Sequence, residues 1–120
     1  MKLYLIDDDW EILQAMAALL EAAGHEVDSS VDAAAGLSGA KAKRPDAVLI
    51  DLVMADIDGL ELCRKMKAIP ELAKSKIIMV TSKDHGLWQD KADEAGVDGF
   101  LTKPVNAETF AAEIAAIVEG

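Results

Sequence analysis

Short apolar runs alternate with amphipathic stretches five times along this chain of 120 residues, and this alternation restricts the fold more than any other feature. The apolar runs predict strands at residues 3–6, 25–29, 46–50, 77–80 and 99–102. Apolar residues at helical spacing predict helices over 10–23, over 32–43, after Gly59 as far as Pro70, and over about 86–94. Asn106 is expected to cap a last helix. Five such βα units predict a mostly parallel sheet with right-handed crossovers and helices on both faces.

The apolar content of the runs suggests how the strands are ordered. The third run is continuously apolar, as a strand covered on both faces should be, whereas the second run is the weakest. This pattern fits the flavodoxin-like sheet order 2-1-3-4-5, in which ligands bind beyond the carboxyl ends of strands 1 and 3. Polar residues stand where four of the runs end, and we expect them to share one pocket: Asp7, Asp8, Asp51, Thr81 and Lys103.

Length, charge and cysteine content exclude several classes of protein. The length suits one domain over residues 1–120 with a core that needs no disulfide. A net charge of −10 argues against nucleic acid as a partner. The single cysteine, Cys63, is expected to pack as a small core residue, and it favours a reducing cytoplasm. The sequence contains no apolar stretch long enough for a membrane helix, so we expect no membrane partner.

The acids of this pocket would repel one another. At an effective dielectric near 20 and about 4 to 5 Å, each carboxylate pair costs roughly 3 to 4 kcal/mol. A raised pKa or a divalent cation relieves such repulsion. Asp7, Asp8 and Asp51 offer only oxygen ligands, which predicts Mg²⁺ or Mn²⁺ rather than zinc. Asp9 is better placed to cap the helix that follows.

The remaining polar residues suit the transfer of a phosphoryl group. Asp51 could act as the nucleophile toward phosphorus, Lys103 could neutralise a phosphoryl oxygen, and Thr81 could donate a hydrogen bond to another. Taken singly, Thr81 could be an ordinary strand-end hydroxyl and Lys103 a surface charge. Their coincidence at the ends of predicted strands favours the phosphoryl site.

These residues and their spacing closely resemble the receiver domain of two-component response regulators, the CheY-like family. The matching segments are 3–9 (LYLIDDD), 47–54 (AVLIDLVM) with Asp58-Gly59, 80–82 (VTS) and 99–104 (GFLTKP), and the resemblance covers essentially the whole chain. It implies a signalling switch that catalyses only its own phosphorylation and dephosphorylation. It also implies that Asp51 accepts a phosphoryl group from a histidine on a sensor kinase or a phosphotransfer protein.

The resemblance assigns further roles around Asp51. Asp8 would bind Mg²⁺ directly, Asp7 would bind it through water, and the Val53 carbonyl would complete the site. Thr81 and Phe100 would form the switch pair, in which the hydroxyl moves toward the phosphoryl group and the ring packs inward behind it. Lys103 would bind the phosphoryl group, with a cis bond to Pro104.

The chain departs from the family pattern beside the site. Ala55 stands where proline is usual, which should leave the loop after Asp51 less rigid. Trp10 replaces a small residue or proline, and we hypothesise that its fluorescence responds to Mg²⁺. In the family, the residues two beyond the aspartate and two beyond the threonine line the path of the hydrolytic water, and the resemblance places Val53 and Lys83 there. An apolar branched side chain and a long cationic one there predict slow self-dephosphorylation.

The output partner is expected to bind the face formed by helix 4, strand 5 and helix 5, with His85, Trp88 and Lys91 as candidates. Two alternatives differ in class: a pseudo-receiver scaffold that is never phosphorylated, and a haloacid-dehalogenase-type phosphatase. A phosphatase of this type would use the Asp7-x-Asp9 pair. That family needs its nucleophile at the end of strand 1 and a cap or larger body, and neither requirement fits this chain. Whether the chain is a stand-alone regulator or the receiver of a longer one is left open by the sequence.

Overall fold

Five parallel strands form one sheet in a computed structural model that describes residues 1–55, 57–82 and 89–120, the side chain of Gln89 excepted. The strands are β1 (Lys2–Ile6), β2 (Glu26–Ser30), β3 (Ala47–Asp51), β4 (Lys76–Thr81) and β5 (Gly99–Thr102). They are ordered β2-β1-β3-β4-β5, and each neighbouring pair is parallel. The predicted flavodoxin-like order is therefore confirmed.

Helices follow the strands much as the sequence predicts. They are α1 (Trp10–Ala22), α2 (Ala33–Lys43), α3 (Gly59–Lys67), α4 (Gln89–Ala95) and α5 (Phe110–Glu119). A 3-10 turn over Pro70–Leu72, which the sequence pattern did not predict, follows α3. The predicted start of α4 near residue 86 lies outside the described residues.

Aspartate side chains cap three of these helices. Asp9, Asp32 and Asp58 each accept backbone N–H groups from the first turn of α1, α2 and α3. The capping role predicted for Asp9 is thus confirmed. After α1, Gly24 adopts a φ of +92°, the left-handed conformation that glycine tolerates at a helix end.

The predicted start of α5 is wrong by three residues, because a cap at Asn106 would begin the helix at residue 107. The regular helix begins at Phe110, whereas Asn106 was expected to cap it. The Asn106 side chain instead accepts the N–H of Glu108 at 2.9 Å, and its carbonyl accepts the N–H of Phe110. Asn106 therefore caps a turn that leads into the helix, because a short polar side chain reaches the amide two residues on.

The core lies in two layers, one on each face of the sheet. One layer packs α2, α3 and α4 against Ile6, Val48, Ile50 and Met79, and the other packs α1 and α5 against Leu5, Leu49, Ile78 and Val80. Neighbouring strand residues alternate between the layers, as the pleat requires. Cys63 is fully buried, as predicted, and burial raises its pKa to about 11.

Across the described ranges, no helix has the length and apolar character needed to cross a membrane.

Candidate functional site

The polar residues predicted to meet do lie at one edge of the sheet. Asp7 follows β1, Asp51 is the last residue of β3, and Thr81 is the last residue of β4. Lys103 follows β5 directly. Because the strands are parallel, their carboxyl ends share this edge, and residues from distant parts of the sequence face one another there.

Three carboxylates form the centre of the site. One carboxylate oxygen each from Asp7, Asp8 and Asp51 lies within 4.8 Å of the other two. Asp7 is buried, Asp51 is partly buried and Asp8 is exposed. Each carboxylate accepts one backbone N–H: Asp7 from Asp9 at 2.9 Å, Asp8 from Ala55 at 3.0 Å, and Asp51 from Val53 at 3.4 Å.

Lys103 brings a positive charge into this cluster. Its Nζ lies 2.6 Å from Oδ2 of Asp7 and 3.4 Å from Oδ1 of Asp51. Its backbone N–H donates to the carbonyl of Thr81 at 2.9 Å, which fixes the chain beside the site. The bond to Pro104 is cis, as predicted. The ammonium is therefore shared by two of the three acids.

Burial and the ion pair have opposite effects on the pKa of Asp51 and on the pKa of Lys103. Burial raises the pKa of Asp51, and the nearby Asp7 carboxylate raises it further, although the Lys103 ammonium opposes both. Burial alone would lower the pKa of Lys103, but its hydrogen bond to Asp7 and the two negative charges outweigh this and raise that pKa. Lys103 therefore stays protonated at neutral pH. Ionisation of Asp51 costs free energy in the folded protein, because its pKa is raised.

This donor set fits a hard divalent cation. Its ligand atoms are carboxylate oxygens only, and Mg²⁺ prefers oxygen ligands of this kind. The three oxygens lie close enough together for the acids to share one ion, directly or through a bound water. Lys103 offsets part of their mutual repulsion, and a cation would offset more.

Thr81 and Phe100 lie on the same face of the sheet. Met79 packs in the layer formed with α2, α3 and α4, so the alternation along β4 directs Thr81 to that face as well. Phe100 pairs with Met79 in register and packs against the same layer. Thr81 is buried and Phe100 is partly buried.

The residues predicted to control phosphoryl lifetime and output are only partly described. Val53 is 53% exposed and stands beside the acids. Lys83, His85 and Trp88 lie outside the described residues. Lys91 is exposed on α4.

Two features of the site were not predicted from the sequence. One is the contact of Ala55 with Asp8. The other is a cavity of about 640 Å³ between α1 and the segment after β5, which opens onto Asp51 and Lys103. Its apolar wall consists of Ile12, Ala15, Met16, Leu19, Pro104 and Val105. Ile12, Met16 and Leu19 are among the apolar residues whose helical spacing predicts the helix over 10–23, but that spacing alone does not predict a cavity.

Comparison with known proteins defines the class. Residues 3–115 match the family model described as "Response regulator receiver domain". The chain therefore belongs to the response regulator receiver domain family, as the resemblance of its motifs predicted.

Three individual matches illustrate this relationship. The chain is 30% identical to protein PilH of Pseudomonas aeruginosa, over 99% of this chain and 98% of PilH. It is 31% identical to the DNA-binding dual master transcriptional regulator RpaA of Synechocystis, over 98% of this chain but only 48% of RpaA, so it spans about half the length of that relative. In structure it resembles the chemotaxis protein CheY4 of Vibrio cholerae, with a TM-score of 0.92 at 26% identity over 97% of each chain.

Proposed function

We propose that residues 1–120 form one receiver unit that acts as a phosphoacceptor switch of a two-component system. The observation that carries this proposal is the meeting of Asp51 with two further carboxylates and the ammonium of Lys103. An acceptor carboxylate, a cation site and a fixed positive charge are the groups that phosphoryl transfer needs. The switch is a signalling module and turns over no separate substrate.

The acceptor in this proposal is the carboxylate of Asp51. One of its oxygens attacks the phosphorus of a phosphohistidine on a sensor kinase or a phosphotransfer protein. The new O–P bond forms as the P–N bond breaks, and the electron pair of that bond stays on the imidazole nitrogen. Lys103 already lies against Asp51 and is positioned to pair with a phosphoryl oxygen.

The cation would be held by Asp7, Asp8, Asp51 and the carbonyl of Val53. When bound, Mg²⁺ supplies positive charge that offsets the charge of the carboxylates and the incoming phosphoryl group. Asp7 is buried and ion-paired, whereas Asp8 is exposed to solvent. This difference supports direct binding by Asp8 and binding through water by Asp7.

The cavity beside Asp51 supports docking of the phosphodonor protein. Its apolar wall on α1 leads directly to the acceptor and to Lys103. An amphipathic helix that carries the phosphohistidine would bury its apolar face there and place the imidazole at Asp51.

Thr81 and Phe100 would transmit the change to a partner. Both face the same layer of the core, so movement of the Thr81 hydroxyl toward a phosphoryl group would open space on the side of Phe100. The readout would occur on the face of α4, β5 and α5.

The position of Asp9 argues against the phosphatase alternative. Its carboxylate accepts the N–H groups of Glu11 and Ile12 as the cap of α1. A carboxylate used in this way is not available as the second acid of an Asp-x-Asp pair.

Labelling with a small phosphodonor tests the proposal. Incubation with phosphoramidate and Mg²⁺ should add one phosphoryl group to the wild type, measured by intact mass, and none to Asp51→Asn. Asp90→Asn, which changes an exposed carboxylate on α4, is the matched control and should be labelled normally. Equal labelling of Asp51→Asn and the wild type would refute the assignment, and an unlabelled wild type would favour the pseudo-receiver scaffold.

A further inference from the structure

A backbone hydrogen bond joins two loops of the site. The N–H of Ala55, after β3, donates to Oδ2 of Asp8, after β1, at 3.0 Å. The two residues lie 47 positions apart in the chain. The corresponding backbone donors to Asp7 and Asp51 come from only two residues further along their own loops. The Ala55 contact is therefore the one of these three that couples separate segments.

The loop that carries Ala55 is anchored on both sides. The N–H of Gly59 donates to the carbonyl of Leu52 at 2.8 Å, and Val53 forms an antiparallel bridge with Asp58. The side chain of Met54 is buried. Ala55 itself is exposed, so its amide is presented to Asp8 from a loop that is held by other contacts.

Asp8 depends on this amide more than its neighbours depend on theirs. Asp7 and Asp51 are also held by the ammonium of Lys103. Among the residues that the structure describes, Asp8 forms no ion pair, and it is exposed. An exposed side chain without such a contact samples several rotamers, and fixing it for a ligand costs entropy.

We propose that the Ala55 N–H is a positioning group for the cation site. It holds one oxygen of Asp8 and keeps the carboxylate facing Asp7 and Asp51. An ionised carboxylate has about four lone-pair positions, so one N–H leaves room for a cation. Cation affinity then depends on the conformation of the loop after β3. This inference rests on the proposed function, because it requires a divalent cation at the three acids.

Replacing the amide tests the positioning role. Ala55→Pro removes the N–H, and we expect Mg²⁺ to bind about tenfold more weakly by calorimetry, at the lower end of the range for groups that orient metal ligands. Ala55→Ser keeps the N–H and should bind Mg²⁺ as the wild type does. Proline also stiffens a loop, but stiffening alone would leave affinity unchanged or raise it, which is the opposite result.

A second measurement does not require the proline variant to fold. Exchange of the Ala55 amide hydrogen, followed by NMR without Mg²⁺, should be slow in the wild type. It should become about tenfold faster in Asp8→Ala, because this variant lacks the acceptor. In the wild type the hydrogen bond must first open, at a cost of about 1.4 kcal/mol, before the amide can exchange. Equal exchange rates in the two proteins would refute the contact in solution.

The outcomes separate this inference from the proposed function. If the wild type binds Mg²⁺ and Asp51 is labelled, but Ala55→Pro binds Mg²⁺ as tightly as Ala55→Ser, the positioning role is refuted and the proposed function stands. If the wild type shows no Mg²⁺ binding, both are refuted.

Discussion

Replacing Lys103 with methionine should destabilise the protein in a way that Mg²⁺ reverses. The ammonium lies 2.6 Å from Asp7 and 3.4 Å from Asp51. At an effective dielectric near 20, the attraction is about 6 kcal/mol for the first pair and about 5 kcal/mol for the second. Burial offsets much of this attraction, because only 15%, 2% and 12% of the Lys103, Asp7 and Asp51 side chains remain exposed.

The net effect comes mainly from the acids that Lys103 would leave behind. Their ligand oxygens lie within 4.8 Å of one another. At the same dielectric, each carboxylate pair then repels by about 3 kcal/mol or more. Removing one partner of a buried ion pair typically costs about 3 to 5 kcal/mol. We expect Lys103→Met to lose about 3 kcal/mol of unfolding free energy in EDTA.

Mg²⁺ should supply the missing charge. At saturating Mg²⁺, the loss in Lys103→Met should shrink to about 1 kcal/mol. Without the competing ammonium the acids should bind the cation more tightly than in the wild type, and tighter binding stabilises the folded state more by mass action. Urea denaturation at neutral pH, followed by circular dichroism with EDTA and with Mg²⁺, measures both values.

Lys67→Met is the matched control. It removes an ion pair with Asp98 at 2.8 Å, away from the acids, and its effect should not change with Mg²⁺. The reasoning is refuted if Lys103→Met is as stable as the wild type in EDTA, or if Mg²⁺ restores the two variants equally. Titration adds a further check. The pKa of Lys103 is raised above its ordinary 10.5, so its stabilisation should persist below pH 10.5 and be lost as the pH rises through the raised value.

Three further predictions concern neighbouring residues. Val53→Asn should shorten the lifetime of the phosphoryl group, measured by loss of label, because it places a polar group beside the path of water; a longer lifetime would contradict this. Asp51→Asn should be more stable than the wild type at pH 7 without divalent cations. Because burial raises the pKa of Asp51 above 3.8, the penalty for ionising it exists above the raised pKa and should fade as the pH falls toward 3.8, so urea titrations should converge there. Gly59→Ala should lose about 2 kcal/mol, since a Cβ would lie 2.5 Å from the carbonyl oxygen of Asp51 and 2.9 Å from the Cα of Leu52; unchanged stability in urea would contradict it.

Much of the sheet could be predicted because the apolar content of a strand depends on whether it lies at the centre or at the edge of the sheet. The residues from Ala47 to Ile50 are all buried, and this is visible as an unbroken apolar run. The weak second run became an edge strand whose residues are only partly buried or exposed. Once the order is known, the meeting of Asp51 with Asp7 and Lys103 follows from parallel geometry.

The unpredicted features depend on backbone groups and loop paths. Every residue except proline carries an N–H, so no sequence pattern marks the Ala55 amide as the partner of Asp8. The start of α5 was misplaced for a related reason, since Asn106 can cap either a turn or a helix. Some apolar residues of α1 line the cavity, and others pack in the core. The sequence does not distinguish them, because the position of the segment after β5 decides where the cavity lies.

The ion pair between Asp7 and Lys103 spans 96 residues, which is most of the chain. During synthesis, the acids are therefore made long before the lysine that offsets their charge. Until β5 pairs with β4, the carboxylates lack this partner, and the edge where they meet lacks one of its walls. The last strand thus completes the sheet and the site in the same event. A partly made or truncated chain would hold Asp51 without the ammonium of Lys103, so under the proposed function the capacity to be phosphorylated should appear only with the finished fold.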